Sequence, residues 1–335
     1  MNNHRATKAE ILDYSSRKNK ISYRLIKVLK KHRYIVDPIN ISGEAPKEKI
    51  NIWETERCRV NNTKTWIPYI CKVGHKRYPS ESITEHLIAR IGKEWGFNMA
   101  NSKLYYIEEQ IRFCSEVFLR KNEELIHGAD ILATYLEEKD SKIIETIDKK
   151  GWSQELLTFQ IVKEAIEVAF SKQANSIIKG LVKMLLFDAV MGNNDRHFFN
   201  WGVVRNIKDK GEPYYAPIYD TARGLFWNWT DKKIEELFEN RNQLDREIVK
   251  YIKSAKPKIG WANQDKLNHF DLVANLIMTN ECLFEEARNI LTNENLAKIE
   301  KLLKIEFNGL IFDKRKEIIL YYLENRFKEF NKLLN

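Results

Sequence analysis

The spacing of apolar residues changes character once, near Arg120, and that change limits the folds open to this chain. Before it, short apolar runs alternate or cluster as strands do: Ile50 to Trp53, Trp66 to Val73, Leu104 to Ile107 and Ile111 to Leu119, with Asn61-Asn62 as a turn signal. After it the spacing is helical, over Ile131 to Leu136, Leu156 to Phe170, Ile177 to Met191 and a series of segments between Ile234 and Leu334. Strands first and helices second predict an α+β protein. The expected division is a basic helical segment over 1–33, a β-rich lobe of about five strands over 34–120, and a larger, mainly helical lobe over 121–335. A chain of 335 residues with 43% hydrophobic content can bury the core such an arrangement needs.

The N-terminal segment has helical spacing from about Ala6 to Lys31 (Ile11, Tyr14, Ile21, Leu25, Val28, Leu29) and many bases, among them Arg17, Lys18, Lys20, Arg24, Lys27, Lys30 and Lys31. It reads as an amphipathic helix with a solvated basic face rather than a nucleic-acid surface, because no recognition motif accompanies it. The formal net charge of +9 suits an anionic ligand, nucleotide or nucleic acid. Cys58, Cys71, Cys114 and Cys282 are far apart and lack C-x-x-C spacing, so neither a zinc site nor a disulfide framework is expected. The first residues lack the apolar core of a signal peptide and no run is long enough to span a bilayer, so a reducing cytoplasm is the expected compartment, with export by another route left open.

Chemistry concentrates between Gly192 and Asp220. An apolar helical pattern (Ile177, Leu181, Met184, Leu185, Ala189) runs into Gly192, which suits a left-handed helix end, and delivers Asn193-Asn194-Asp195-Arg196-His197-Phe198-Phe199-Asn200 onto a loop. Trp201 to Val204 and Tyr214 to Ile218 then read as a hairpin around Lys208-Asp209-Lys210-Gly211, which would bring Asn200 and Asp220 together. Upstream, Lys72 lies in an apolar strand on the face of Ile70, a position that demands an anionic partner. Glu85, on a helix expected over Ser82 to Trp95, is one candidate; Ser82-Ile83-Thr84-Glu85 equally fits a capping box in which the acid only closes the helix start. Asn40 to Lys47 supplies a glycine, a hydroxyl and a base in one loop, as a phosphate-covering turn does.

Phosphoryl transfer requires a carboxylate at the accepting hydroxyl, metal ions at the phosphates and a lysine to hold them. Asp195, the pair Asn200 and Asp220, and Lys72 supply one candidate for each role, and the five-residue step from Asp195 to Asn200 matches D-x-x-x-x-N. A hydrolytic metal on Asp195, His197 and Asp220 lacks H-x-H or H-E-x-x-H spacing, and a His–Asp dyad lacks a nucleophile elbow. A polar capping loop with a satisfied histidine leaves Asn200, Asp220 and Lys72 unexplained. Thr221-Ala222-Arg223-Gly224-Leu225 places an arginine beside the second acid, and Trp227, Trp229 and Trp261 read as packing.

These residues resemble the HipA-like serine/threonine kinases, in particular their single-chain branch, on Gly192-Asn193-x-Asp195-Arg196-His197-x-x-Asn200-Trp201-Gly202 and Ala216-Pro217-x-Tyr219-Asp220. The resemblance runs from about Ile41 to Leu225 and implies a two-lobed, protein-kinase-like fold, ATP and Mg2+ as cofactors, and a protein substrate bearing serine or threonine. It implies Asp195 as the catalytic acid/base, Asn200 and Asp220 as metal ligands, and Lys72 as the ATP-phosphate lysine with Glu85 as its partner. Val117, Phe118 and Leu119 become the adenine hinge, and His197 a residue that keeps the loop in shape. Ser42, Gly43 and Lys47 become the phosphate loop, with Ala45 and Asn40 departing from the family pattern and Ser42 left as a candidate for autophosphorylation. The toxin-type family allows a separate antitoxin or regulator as partner, although no helix-turn-helix is visible here. The same D-R-H-x-x-N pattern is similar to phosphoinositide lipid kinases, whose D-F-G is absent at Tyr219-Asp220-Thr221. A nucleotide-binding pseudokinase or a nucleic-acid-binding module are the readings without turnover.

Overall fold

The computed structural model describes residues 25–38, 46–75, 78, 80–208, 210–279 and 281–334. The first lobe is a curled six-stranded sheet: β1 (Lys27–Val28), β2 (Tyr34–Asp37), β3 (Lys47–Ile52), β4 (Ile67–Val73), β5 (Ser102–Ile107) and β6 (Gln110–Glu116), in the order β1-β5-β6-β4-β3-β2. All neighbours pair antiparallel except β1 with β5. One helix, α1 (Glu81–Glu94), packs on β5 and β6. Inward residues of alternating strands (Ile50, Ile52, Tyr69, Cys71, Tyr105, Ile107, Cys114) close a small core on one face of the sheet, and Ile70 and Lys72 project from the other.

A second sheet of β7 (Glu123–His127), β8 (Gly202–Asn206) and β9 (Tyr214–Tyr215) lies within the helical part. The helices there are α2 (Gly128–Tyr135), α3 (Lys142–Lys149), α4 (Ser153–Leu156), α5 (Phe159–Ala169), α6 (Ala174–Met191), α7 (Asp231–Phe238), α8 (Arg241–Ser254), α9 (His269–Thr279), α10 (Glu281–Ile290), α11 (Asn293–Ile305) and α12 (Asp313–Leu333). Helix α6 is buried along most of its length, which is why its sequence is apolar on nearly every side. Helix α1 belongs to the same core: Ile83, Leu87, Ile88 and Ile91 are buried with Met184 to Met191 of α6. Its outer side is tied to the C-terminal helices, where Arg90 Nε donates to both carboxylate oxygens of Glu306 (2.8 and 3.0 Å) and Trp95 Nε1 to the Asn295 carbonyl.

Four expectations need correction. The helix expected through Lys31 does not extend over Leu25–Lys31: Lys27–Val28 run parallel to Tyr105–Tyr106, and Lys31–Arg33 form a single 3-10 turn. Pairing with the open edge of β5 overrides helical spacing there, and residues 1–24, where the rest of that segment falls, lie outside the described residues. That added strand makes the sheet one larger than expected. Glu123–His127 is a strand although the chain was expected to be helical from Arg120 onward; it is half-buried throughout and pairs with β8 some eighty residues away (Leu125 opposite Val204), a long-range partnership that local pattern does not reveal. Finally, Cys71 and Cys114 form a cross-strand disulfide, because the β4–β6 register sets them directly opposite each other, 4.1 Å apart at Cα, despite 43 intervening steps in sequence. Among the described residues no helix is long and apolar enough to cross a membrane.

Candidate active site

Lys72, Glu85 and Asp220 come together from β4, α1 and the segment after β9. The Lys72 ammonium lies 2.7 Å from Glu85 and 3.0 Å from Asp220. The capping-box reading of Glu85 fails: α1 begins at Glu81, so Ser82 is already inside the helix and Glu85 turns toward the sheet. Burial by itself favours the neutral forms of all three groups. It pushes the Glu85 carboxyl up to about 7 against the pull of Lys72. At Asp220 burial is outweighed by Lys72, Lys47 and Arg196, which hold the carboxyl well below the usual range; the two acids in turn raise Lys72 over the effect of burial. Lys47 stands opposite Lys72 in the β3–β4 register, on the same side as this cluster. Ser42 and Gly43 lie outside the described residues.

The loop carrying Asp195 is built on the end of α6. Gly192 closes the helix at φ +68°, and a Cβ there would sit 2.0 Å from the Tyr322 hydroxyl, so only glycine fits. Inside the loop stands a buried arginine. Arg196 donates twice to Asp188 of α6 (Nε 2.6 Å, Nη2 2.9 Å), and its Nη1 donates to the carbonyls of Asn200 (2.7 Å) and Tyr219 (2.5 Å). One guanidinium thus joins the end of the loop to the residue before Asp220, which achieves the proximity the hairpin implies. The hairpin itself forms as expected, with Val203 opposite Tyr215 and Val204 opposite Tyr214. Asn193 braces the same group by donating to Asp188 (2.9 Å), and His269 of α9 reaches the Asn193 carbonyl through Nε2 (2.9 Å).

Asp195 itself is about one-third exposed, at 36%, with Arg223 Nε 3.6 Å from its carboxylate. Burial raises its carboxyl above the ordinary value, opposed by His197, Arg223 and Lys258. The Asn200 side chain donates its amide N–H to the Asp195 carbonyl (3.1 Å), which leaves the amide oxygen for another partner. His197 accepts from the Phe199 N–H at Nδ1 (3.3 Å), and burial holds its imidazole below the ordinary value. Its ring is bonded within the loop itself.

Val117, Phe118 and Leu119 connect β6 to β7, with the Val117 N–H on the Pro68 carbonyl (2.9 Å) and the Phe118 ring 5.8 Å from that of Tyr219. The Tyr219 hydroxyl donates to the Phe199 carbonyl (3.1 Å) and lies 3.2 Å from His127 Nδ1. The connection therefore sits over the residue that precedes Asp220. Among the described residues no three His, Cys, Asp or Glu side chains cluster as metal ligands do. The oxygens that suit a hard cation are the Asn200 amide oxygen and the Asp220 carboxylate, of which Oδ1 is bonded to Lys72.

Asp188 and His269 join the site without having been picked out in the sequence, and Arg223, noted there only as an arginine beside the second acid, pairs with Asp195. Asp188 carried a legible signal, since a carboxylate inside Leu185-Leu186-Phe187-Asp188-Ala189 must find a buried partner. His269 and the partners of Arg223 carried none, because their contacts depend on tertiary placement alone.

The family model described as HipA-like C-terminal domain matches residues 39–279. A 90-residue stretch is 30% identical to serine/threonine-protein kinase CtkA of Helicobacter pylori, covering 27% of this chain and 26% of that protein. The crystal structure of a Helicobacter pylori proinflammatory kinase CtkA superposes with a TM-score of 0.71 at 18% identity, covering 92% of this chain and 96% of that one. A structure of the Shewanella oneidensis toxin–antitoxin system HipA, HipB and operator DNA matches with a TM-score of 0.51 at 15% identity, covering 91% of this chain and 66% of the matched chain. At those identities the structural matches establish the two-lobed fold; the family match, which spans well over half the sequence, establishes descent. The chain belongs to the HipA-like C-terminal domain family.

Proposed function

We propose that this protein transfers the γ-phosphoryl group of ATP, with Mg2+, to a serine or threonine hydroxyl of a protein. The observation that carries the reading is the convergence of Lys72, Glu85 and Asp220, linked through Arg196 to the loop bearing Asp195 and Asn200. Lys72, whose charged form two acids favour over the effect of burial, suits the nucleotide phosphates, with Val117 to Leu119 on the base side; Lys47, the first residue of β3, and Ser42 and Gly43 before it are the further residues proposed to contact phosphate. Asp195 accepts the hydrogen bond of the acceptor hydroxyl and takes its proton as the oxygen bonds to the γ-phosphorus and the bond to the bridging oxygen breaks, releasing ADP. Asn200 and Asp220 would hold Mg2+, which neutralises phosphate charge. His197 supports the loop without touching the reacting atoms. Ser42 is the proposed site of autophosphorylation, and a separate regulator of antitoxin type the proposed partner, with the bacterial cytoplasm as the place of action.

Incubation with γ-labelled ATP, Mg2+ and a generic protein acceptor tests this directly. Label on serine or threonine is expected, lost on chelation. A wild-type protein that labels neither itself nor the acceptor would overturn the proposal, and label in phosphoinositides instead would move it to lipid substrates.

A further inference from the structure

Beyond the groups already assigned, Arg223 forms an ion pair with Asp195, and three features set it apart from a solvated surface arginine. Its Nε stands 3.6 Å from Asp195 and 3.5 Å from Glu81, two acids from different lobes. Its guanidinium lies 3.9 Å from the centre of the Trp227 ring, which also meets Tyr78 edge-on at 5.5 Å. Its backbone is registered to the acceptor loop: the Asn194 N–H donates to the Arg223 carbonyl (3.4 Å), and a Cβ on Gly224 would lie 2.8 Å from the Met191 carbonyl, so the segment is pressed against the end of α6.

Glu81 is no incidental partner. It is the first residue of α1, the helix whose Glu85 faces Lys72, and its other carboxylate oxygen accepts the His75 N–H (2.7 Å) just past the end of β4. A continuous path therefore runs from the phosphate-binding strand through Glu81 and Arg223 to Asp195. Planar, always charged and stacked on an aromatic ring, a guanidinium can address two carboxylates at once in a way an ammonium cannot.

We propose that Arg223 is the positioning residue of the acceptor site: it fixes the Asp195 carboxylate toward the incoming hydroxyl and does so from the start of α1, so that the acceptor acid is set only when the helix carrying Glu85 is seated. The inference rests on the kinase reading above. It adds a residue that acts through Asp195 and joins the two halves of the site.

Six proteins decide it: wild type, Arg223→Ala, Arg223→Lys, Glu81→Gln, the double variant Arg223→Ala with Glu81→Gln, and Asp195→Ala, each assayed for phosphoryl transfer to a protein acceptor and for ATP affinity. Arg223→Ala should lower kcat about 10- to 100-fold, the loss expected for a misplaced reacting group, with ATP affinity and thermal midpoint near wild type. Millimolar guanidinium should restore part of that kcat in Arg223→Ala and none in Asp195→Ala. Arg223→Lys should fall between, and the penalty of Arg223→Ala should shrink once Glu81 is already Gln. Unchanged kcat in Arg223→Ala, or a loss without guanidinium rescue and with a parallel loss of ATP affinity, overturns the inference while leaving the kinase reading standing. Absence of transfer in wild type overturns the kinase reading itself.

Discussion

Asp188 and Arg196 show how a single buried pair orders the loop that bears Asp195. Both are almost fully buried, bonded in a bidentate fork, and Arg196 spends its remaining donors on two backbone carbonyls that flank the metal-binding candidates. Removing one partner leaves an uncompensated charge, so Asp188→Ala should destabilise the fold by about 3–5 kcal/mol in urea unfolding; a change below about 1 kcal/mol would show that the pair does not hold the loop. His269 makes a pH-dependent contribution of known sign. Burial drives its imidazole down to about 3, so the neutral folded form donates to Asn193 while the unfolded chain takes up a proton near pH 6.5. The stability it provides is complete above about pH 6.5 and falls as pH drops toward 3, by at most about 1.4 kcal/mol per pH unit. His269→Gln, which keeps a donor but does not titrate, should show a shallower acid slope of unfolding free energy; superimposable slopes would refute the assignment.

At the level of elements, the loop bearing Asp195 depends on where α6 stops. Gly192→Ala forces a side chain into the left-handed region and against the Tyr322 hydroxyl. It should destabilise by more than the roughly 1 kcal/mol of left-handed strain alone, and lower transfer in proportion to loop disorder seen by hydrogen exchange at Asn193 to Asn200. Normal protection there would contradict the role of this helix end. The stop was readable in sequence because an apolar helical pattern runs straight into glycine, and the hairpin after it because its strands flank a polar turn. The strand β7 and the short β1 were not readable: each is defined by main-chain pairing with a distant edge, and their side chains carry no alternation of their own. The Cys71–Cys114 pair was hidden for the same reason, since register, not spacing, makes it.

For the whole molecule, the two lobes meet through residues whose chemistry was visible one by one. Lys72 declared itself as a cation in an apolar strand, and Asp195, Asn200 and Asp220 by type and spacing; their mutual geometry needed α1 to share the helical core and Arg196 to bridge the loop ends. Whether Glu85 capped its helix or paired with Lys72 turned on a helix boundary one residue earlier than sequence indicated. The central claim is a division of labour within this cleft, with Asp195 serving the acceptor and Asp220 the metal-bound nucleotide. Calorimetric titration with ATP and Mg2+, run beside γ-phosphate transfer for wild type, Asp195→Ala and Asp220→Ala, tests it most directly. Asp195→Ala should abolish transfer and leave Mg2+-dependent ATP binding within about 2-fold of wild type, under about 0.5 kcal/mol, whereas Asp220→Ala should lose both. Transfer that persists in both variants, or ATP binding lost in Asp195→Ala and kept in Asp220→Ala, would contradict the account.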